Sequence, residues 1–145
     1  MNSKSLKSFD ILLVEDNPAD ARLITEFLSD THLINELHVQ QDGIKAMDFL
    51  NQQCKPNNYY PHFIILDLNL PGKNGIEVLK EIKEDINLKK IPVMIFTTST
   101  AEEDIKKCYD NHASCYVTKP LDFDEFTKTI NLIEEFWLNT VKLPE

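Results

Sequence analysis

Short apolar runs alternate along this chain with longer segments of helical period. The runs Phe9 to Glu15, Glu36 to Gln40, His62 to Asp67, Pro92 to Thr97 and Ser114 to Thr118 have strand length, and the first, third and fourth are nearly continuous in apolar residues. Strands covered on both faces have that character. Between them, Pro18 stands where a proline opens a helix, and Leu23, Ile24, Phe27 and Leu28 then share one face, which predicts a helix from about Pro18 to Asp30. A second helix, capped near Asp42, carries Ile44, Met47, Phe49 and Leu50 and is expected to fail near Pro56. A third follows Asn74 with Ile76, Val78, Leu79 and Ile82 inward, and a fourth follows Thr100 with Ile105 and Cys108 inward. The fifth runs from about Asp122 to Asn139 on the stripe Phe126, Ile130, Ile133 and Trp137, while Phe123, Leu132, Phe136 and Leu138 widen its apolar surface beyond that stripe.

Five strands alternating with five helices predict an α/β fold, an open doubly wound parallel sheet whose ligands sit beyond the carboxyl ends of the strands. A chain of 145 residues suits one such domain, from residue 9 to 139, with tails at 1–8 and 140–145 and no effector domain. Fifteen Lys and Arg against 24 Asp and Glu give a formal charge of −9, which repels phosphate backbones and anionic lipid, so neither nucleic acid nor membrane is expected as a partner. No apolar run approaches the ~18 to 20 residues that span a bilayer, and the N-terminus lacks the apolar stretch of a signal peptide, so a cytoplasmic location is expected. Cys54, Cys108 and Cys115 form no CxxC pair and read as reduced, mostly buried thiols. The four histidines show no metal-ligand spacing.

The strand ends carry the chemistry. Glu15 and Asp16 follow the first strand, Asp67 closes the third, Thr97 closes the fourth, and Lys119 lies just past the fifth. Three carboxylates converging on one edge repel one another unless a cation joins them. A hard divalent ion such as Mg²⁺ accepts oxygen ligands and is often held by carboxylates plus phosphate. Asp16 and Asp67 can ligate it directly, Glu15 through water, and a backbone carbonyl near Asn69 can complete the set. Lys119 adds the positive charge that an incoming phosphoryl group needs, and Thr97 offers a hydroxyl donor. Nucleophilic carboxylate, metal, cation and hydroxyl together form a parts list for phosphoryl transfer, with Asp67 as the nucleophile.

At these residues the chain resembles a response-regulator receiver domain, the phospho-accepting half of two-component signalling. The resemblance rests on ILLVEDNP with Glu15 and Asp16, IILDLNLPGKNG with Asp67, PVMIFTTS with Thr97, and CYVTKP with Tyr116, Lys119 and Pro120. It implies strand order 2-1-3-4-5, Mg²⁺ at the site, phosphorylation of Asp67 by a histidine kinase, and a cis bond between Lys119 and Pro120. It also implies a switch in which Thr97 moves toward the aspartyl phosphate and Tyr116 turns inward, changing the face made by the fourth helix, fifth strand and fifth helix. Asn69, Thr98 and Ser99 occupy places that tune phosphoryl lifetime in the family. The segments TTSTAEED, SCYVTKP and IEEFWL further resemble single-domain regulators paired with phytochrome-type histidine kinases. Relatives of that type form homodimers through the fourth and fifth helices, which gives the apolar residues near Phe136 a use. The downstream protein target is not readable from the residues.

Other functions fit less well. A nucleotide- or flavin-binding protein places glycines or hydroxyls after the first strand, where this chain has two acids, and Gly72-Lys73 is no P-loop. An aspartyl phosphatase needs a general acid at the position of Asn69. The chain is therefore expected to be a signalling protein and not an enzyme, assisting only its own phosphorylation and dephosphorylation. A receiver-like interaction module working without phosphorylation is the alternative.

Overall fold

Hydrogen-bonded pairing joins the five apolar runs into one parallel sheet in the order β2-β1-β3-β4-β5. The computed structural model describes residues 8–29, 34–140 and 142–143. Its elements are β1 (Phe9–Val14), α1 (Pro18–Ser29), β2 (Ile34–Gln40), α2 (Gly43–Asp48), β3 (Phe63–Leu66), α3 (Gly75–Glu84), β4 (Val93–Thr97), α4 (Glu102–Asp110), β5 (Cys115–Thr118) and α5 (Phe123–Glu134). The expected N-terminal tail falls almost wholly outside the described residues, as do Asp30 and half of the expected C-terminal tail.

Alternation along the strands divides the core into two layers. Leu12, Val14, Ile64, Leu66, Val93 and Ile95 face one way, against Ala46, Met47 and Leu50 and against Val78, Leu79, Ile82 and Cys108. Their neighbours Ile11, Leu13, Phe63, Ile65, Met94 and Phe96 face the other way, against Ile24 and Leu28 of α1 and Phe126, Ile130, Ile133 and Trp137 at the end of the chain. Successive side chains point to opposite faces, so a continuous apolar strand fills both layers at once. The helices bury the centres of the stripes that their sequence spacing predicts, while Leu23, Phe27, Ile76 and Ile105 are only partly covered.

Local chemistry fixes the helix starts. Asn17 Oδ1 accepts from the Ala19 and Asp20 amides at 2.9 and 3.1 Å, with Pro18 as the first helical residue. Asn74 and Glu77 exchange side-chain-to-backbone bonds at 3.0 Å, a capping box that opens α3. Gly75 lets that start approach the end of β3, because a Cβ there would lie 2.2 Å from the Asp67 carbonyl oxygen.

Several sequence expectations are corrected here. The second helix ends near Pro56 as expected, but only after passing through a π-helical stretch, Phe49–Cys54, and a 3₁₀ turn, Lys55–Asn57, that holds Pro56 near its first position. A proline is tolerated there because its missing N–H has no partner to lose. Ile44 of α2 is exposed. The helix after Thr100 is not capped by that residue: Ala101 occupies the cap position without a side-chain bond, and Ser99 Oγ takes over, accepting from the Ala101 amide at 3.3 Å and donating to Asp104 at 2.6 Å. Beyond α5 the chain widens into a π-helical stretch, Glu135–Thr140. The altered angle per residue turns Leu138 inward beside Trp137, leaving Phe123, Leu132 and Phe136 as the exposed apolar residues. Among the described residues no helix is long and apolar enough to cross a membrane.

Candidate functional site

The ends of strands β1, β3, β4 and β5 deliver four polar side chains to one edge of a sheet whose central strands are mostly apolar. Glu15, Asp67, Thr97 and Lys119 are all buried, and Glu15 is only 1% exposed. Burial at this depth demands partners. Lys119 Nζ supplies them, lying 2.6 Å from Glu15 Oε1, 2.9 Å from Asp67 Oδ2 and 2.9 Å from Asp20 Oδ2. The backbone helps to hold the lysine in place, because its amide donates to the Thr97 carbonyl at 2.6 Å and so ties the end of β5 to that of β4.

Electrostatics follow from this packing. Burial alone raises the Asp67 carboxyl, but the hydrogen bond and charge of Lys119, with the Asn69 amide at 3.2 Å adding to them, hold it below the usual aspartate range. Asp67 is therefore ionised. Burial dominates at Glu15, where it outweighs the Lys119 hydrogen bond and, with the charge of Asp67, lifts the carboxyl to about 7. At Lys119, burial would favour the neutral amine, yet its hydrogen bonds to Glu15, Asp20 and Asp67 and the Glu15 charge push it above the usual lysine value. The Thr97 hydroxyl lies close enough to help stabilise the Asp67 charge, but its buried oxygen makes no well-formed hydrogen bond.

Donor oxygens of Glu15, Asp16 and Asp67 all lie within 4.8 Å of one another, and Asp16 is exposed beside the two buried acids. An all-oxygen set with one open side fits a hard divalent cation, and the buried Thr97 hydroxyl at the same edge lacks a hydrogen-bond partner. With Asp20 included, four carboxylates face one ammonium, leaving up to three negative charges for a cation to offset.

Sequence reasoning brought Glu15, Asp16, Asp67, Thr97 and Lys119 to this edge, and the structure assembles all five. Asn69 sits at the mouth, its side-chain amide 3.5 Å from Thr98 Oγ. Ser99 is tied to α4, and Tyr116 donates its hydroxyl to the Ser99 carbonyl at 2.8 Å. The cis bond expected before Pro120 is corrected: no cis peptide occurs among the described residues. Trans is the lower-energy isomer even before proline, and here Lys119 reaches its three acceptors without the alternative. Asp20 was missed. An acid in the first turn of a helix ordinarily serves the helix start, which masked this one; its signal is that this helix starts just after Glu15 and Asp16, so its first turn lies beside the acidic edge.

Comparison with known proteins agrees with this geometry. The model for the response regulator receiver domain matches residues 11–131. The chain belongs to the response regulator receiver family. Among curated relatives of this receiver, the response regulator Rcp1 of Synechocystis sp. is 48% identical over 135 residues, covering 92% of each chain. The crystal structure of an Mn²⁺-bound form of Rcp1 superposes with a TM-score of 0.88 at 47% identity, covering 94% of this chain and 99% of that one. That of the phosphorylated cyanobacterial phytochrome response regulator RcpA gives 0.90 at 46% identity, covering 95% and 99%. The fold, the strand order and the acidic cluster of a divalent-metal site are thus those of a receiver domain.

Proposed function

We propose that this receiver is a single-domain response regulator that accepts a phosphoryl group from a histidine kinase onto Asp67 and signals through its α4-β5-α5 face. One observation carries the reading: an ionised, buried Asp67 lies 2.9 Å from the Lys119 ammonium, beside a buried Thr97 hydroxyl that has no hydrogen-bond partner. The acid is a nucleophile, and the ammonium and hydroxyl are two donors for the oxygens of a group attached to it.

In the transfer, an Asp67 oxygen forms a bond to phosphorus while the P–N bond of a phosphohistidine breaks. Its electron pair leaves with the imidazole nitrogen. Glu15, Asp16 and Asp67 would hold Mg²⁺, with the Asn69 carbonyl as a further candidate ligand, and the ion supplies charge neutralisation on the phosphoryl oxygens. Lys119 neutralises the acids that would otherwise repel the donor, and Thr97 turns its hydroxyl to the product. Asn69, Thr98 and Ser99 set water access at the mouth and with it the phosphoryl lifetime. Tyr116 links this chemistry to the surface, because its hydroxyl holds the Ser99 carbonyl in the loop that Thr97 begins.

The similarity to regulators named for phytochromes supports a phytochrome-type kinase as the donor. Exposed Leu132 and Phe136 on the last helix support a homodimer or target interface there. The deciding measurement is intact mass after treatment with a small acyl phosphate and Mg²⁺. A gain of one phosphoryl group is expected, abolished by EDTA and by Asp67→Asn. No gain from either the acyl phosphate or a histidine kinase would favour an interaction module that works without phosphorylation.

A further inference from the structure

Lys119 has three N–H bonds, and each meets a different carboxylate. Glu15 lies at 2.6 Å and Asp20 and Asp67 at 2.9 Å each. Two of these acceptors have competing duties. Glu15 and Asp67 belong, with Asp16, to the cluster whose oxygens can hold a divalent ion, and Asp67 is also the group to be modified. Asp20 lies outside that cluster.

Its placement is also different. Glu15 and Asp67 ride on strand ends, whereas Asp20 rides on the first turn of α1, fixed by the Asn17 cap through its own amide at 3.1 Å. Its side chain is 23% exposed, against 1% for Glu15 and 6% for Asp67, so it approaches the ammonium from the solvent side. A lysine side chain is long and flexible, and its charge is placed only as well as its acceptors place it. When a cation and a phosphoryl group draw on Glu15 and Asp67, the remaining undivided acceptor is the one on α1.

We propose that Asp20 is a positioning residue for Lys119, holding the ammonium over Asp67 while metal and phosphoryl group occupy the other two acids. This rests on the phosphorylation reading above. It makes Asp20 act on transfer through Lys119 and leaves metal binding nearly unchanged.

The test compares wild type with Asp20→Ala, the near-isosteric Asp20→Asn and the charge-retaining Asp20→Glu. Phosphoryl uptake from acetyl phosphate at saturating Mg²⁺ is expected to slow about tenfold in Asp20→Ala, less in Asp20→Asn, and to recover partly in Asp20→Glu. The Mn²⁺ dissociation constant of the unmodified proteins, read by electron paramagnetic resonance, is expected to stay within about threefold. The ¹⁵N signal of the Lys119 ammonium should exchange faster with water in Asp20→Ala than in wild type. Wild-type uptake rates in Asp20→Ala, or Mn²⁺ affinity falling as far as the rate, would overturn the proposal, the latter by placing Asp20 in the metal site. If wild type itself takes up no phosphoryl group, the phosphorylation reading fails, and unchanged ammonium exchange in Asp20→Ala would then separately overturn the anchoring role.

Discussion

Two lysines of this molecule, the half-buried Lys83 and the buried Lys119, are treated in opposite ways. Lys83, on α3, directs its ammonium to two backbone carbonyls, Lys89 at 2.9 Å and Ile91 at 2.7 Å. Burial lowers its pKa, with no carboxylate to oppose the effect. Lys119 has three carboxylates, and they outweigh its burial penalty and raise its pKa. The first arrangement staples a helix to the loop before β4. The second overfills a site with acid, beyond what one ammonium can neutralise. Structural cations are matched by their surroundings, and a surplus of one charge marks a place prepared for something else.

Removing each cation is the strongest way to break the contrast. Lys119→Met leaves Glu15, Asp20 and Asp67 facing one another, and a loss of about 3–5 kcal/mol in unfolding free energy is expected at neutral pH in EDTA. Millimolar Mg²⁺, or acidification that protonates the cluster, should restore part of it, as followed by urea unfolding. Lys83→Met removes two bonds to neutral carbonyls and should cost about 1–2 kcal/mol. That loss should be indifferent to Mg²⁺, and phosphoryl uptake should stay at the wild-type rate. Equal Mg²⁺ responses in the two variants would contradict the distinction drawn between them.

A smaller effect sharpens the same comparison from the acid side. Asp85 is partly buried; burial raises its carboxyl, but Lys55 and the Asn87 and Leu88 amides together bring it below the usual value. The folded state then binds fewer protons here than the unfolded chain. The contribution is complete above the unfolded aspartate value near 3.8 and is lost as pH falls through the lower folded value. Asp85→Asn should therefore cost about 1 kcal/mol at pH 7 and progressively less toward pH 3, measured by thermal unfolding across that range.

Most of the fold was readable because the apolar runs are buried on both faces and leave little choice of element. β1, β3 and β4 end within a residue of their expected limits, and the acids that follow them are placed by strand direction alone. What escaped the sequence depends on three-dimensional coincidence. Asp20 reads as part of a helix start, and only the folded position of the first turn of α1 at the carboxyl edge of the sheet brings it to Lys119. The cap at Ser99 and the inward turn of Leu138 depend on backbone details that side-chain periodicity does not encode. The peptide before Pro120 was expected to be cis from the resemblance, since residue type alone leaves both isomers accessible.

The tryptophan has a practical consequence. Trp137 is buried against Phe63, with ring centroids 4.5 Å apart, in the layer formed with α1 and α5. Phe63 opens β3 while Asp67 follows its last residue, so the two are separated by the length of a strand, roughly 13 Å. The chain's single indole is thus a fluorophore optically remote from the acidic edge. Its emission should follow docking of the last helix and global unfolding, while metal and phosphoryl chemistry at the other end proceeds largely unseen by it.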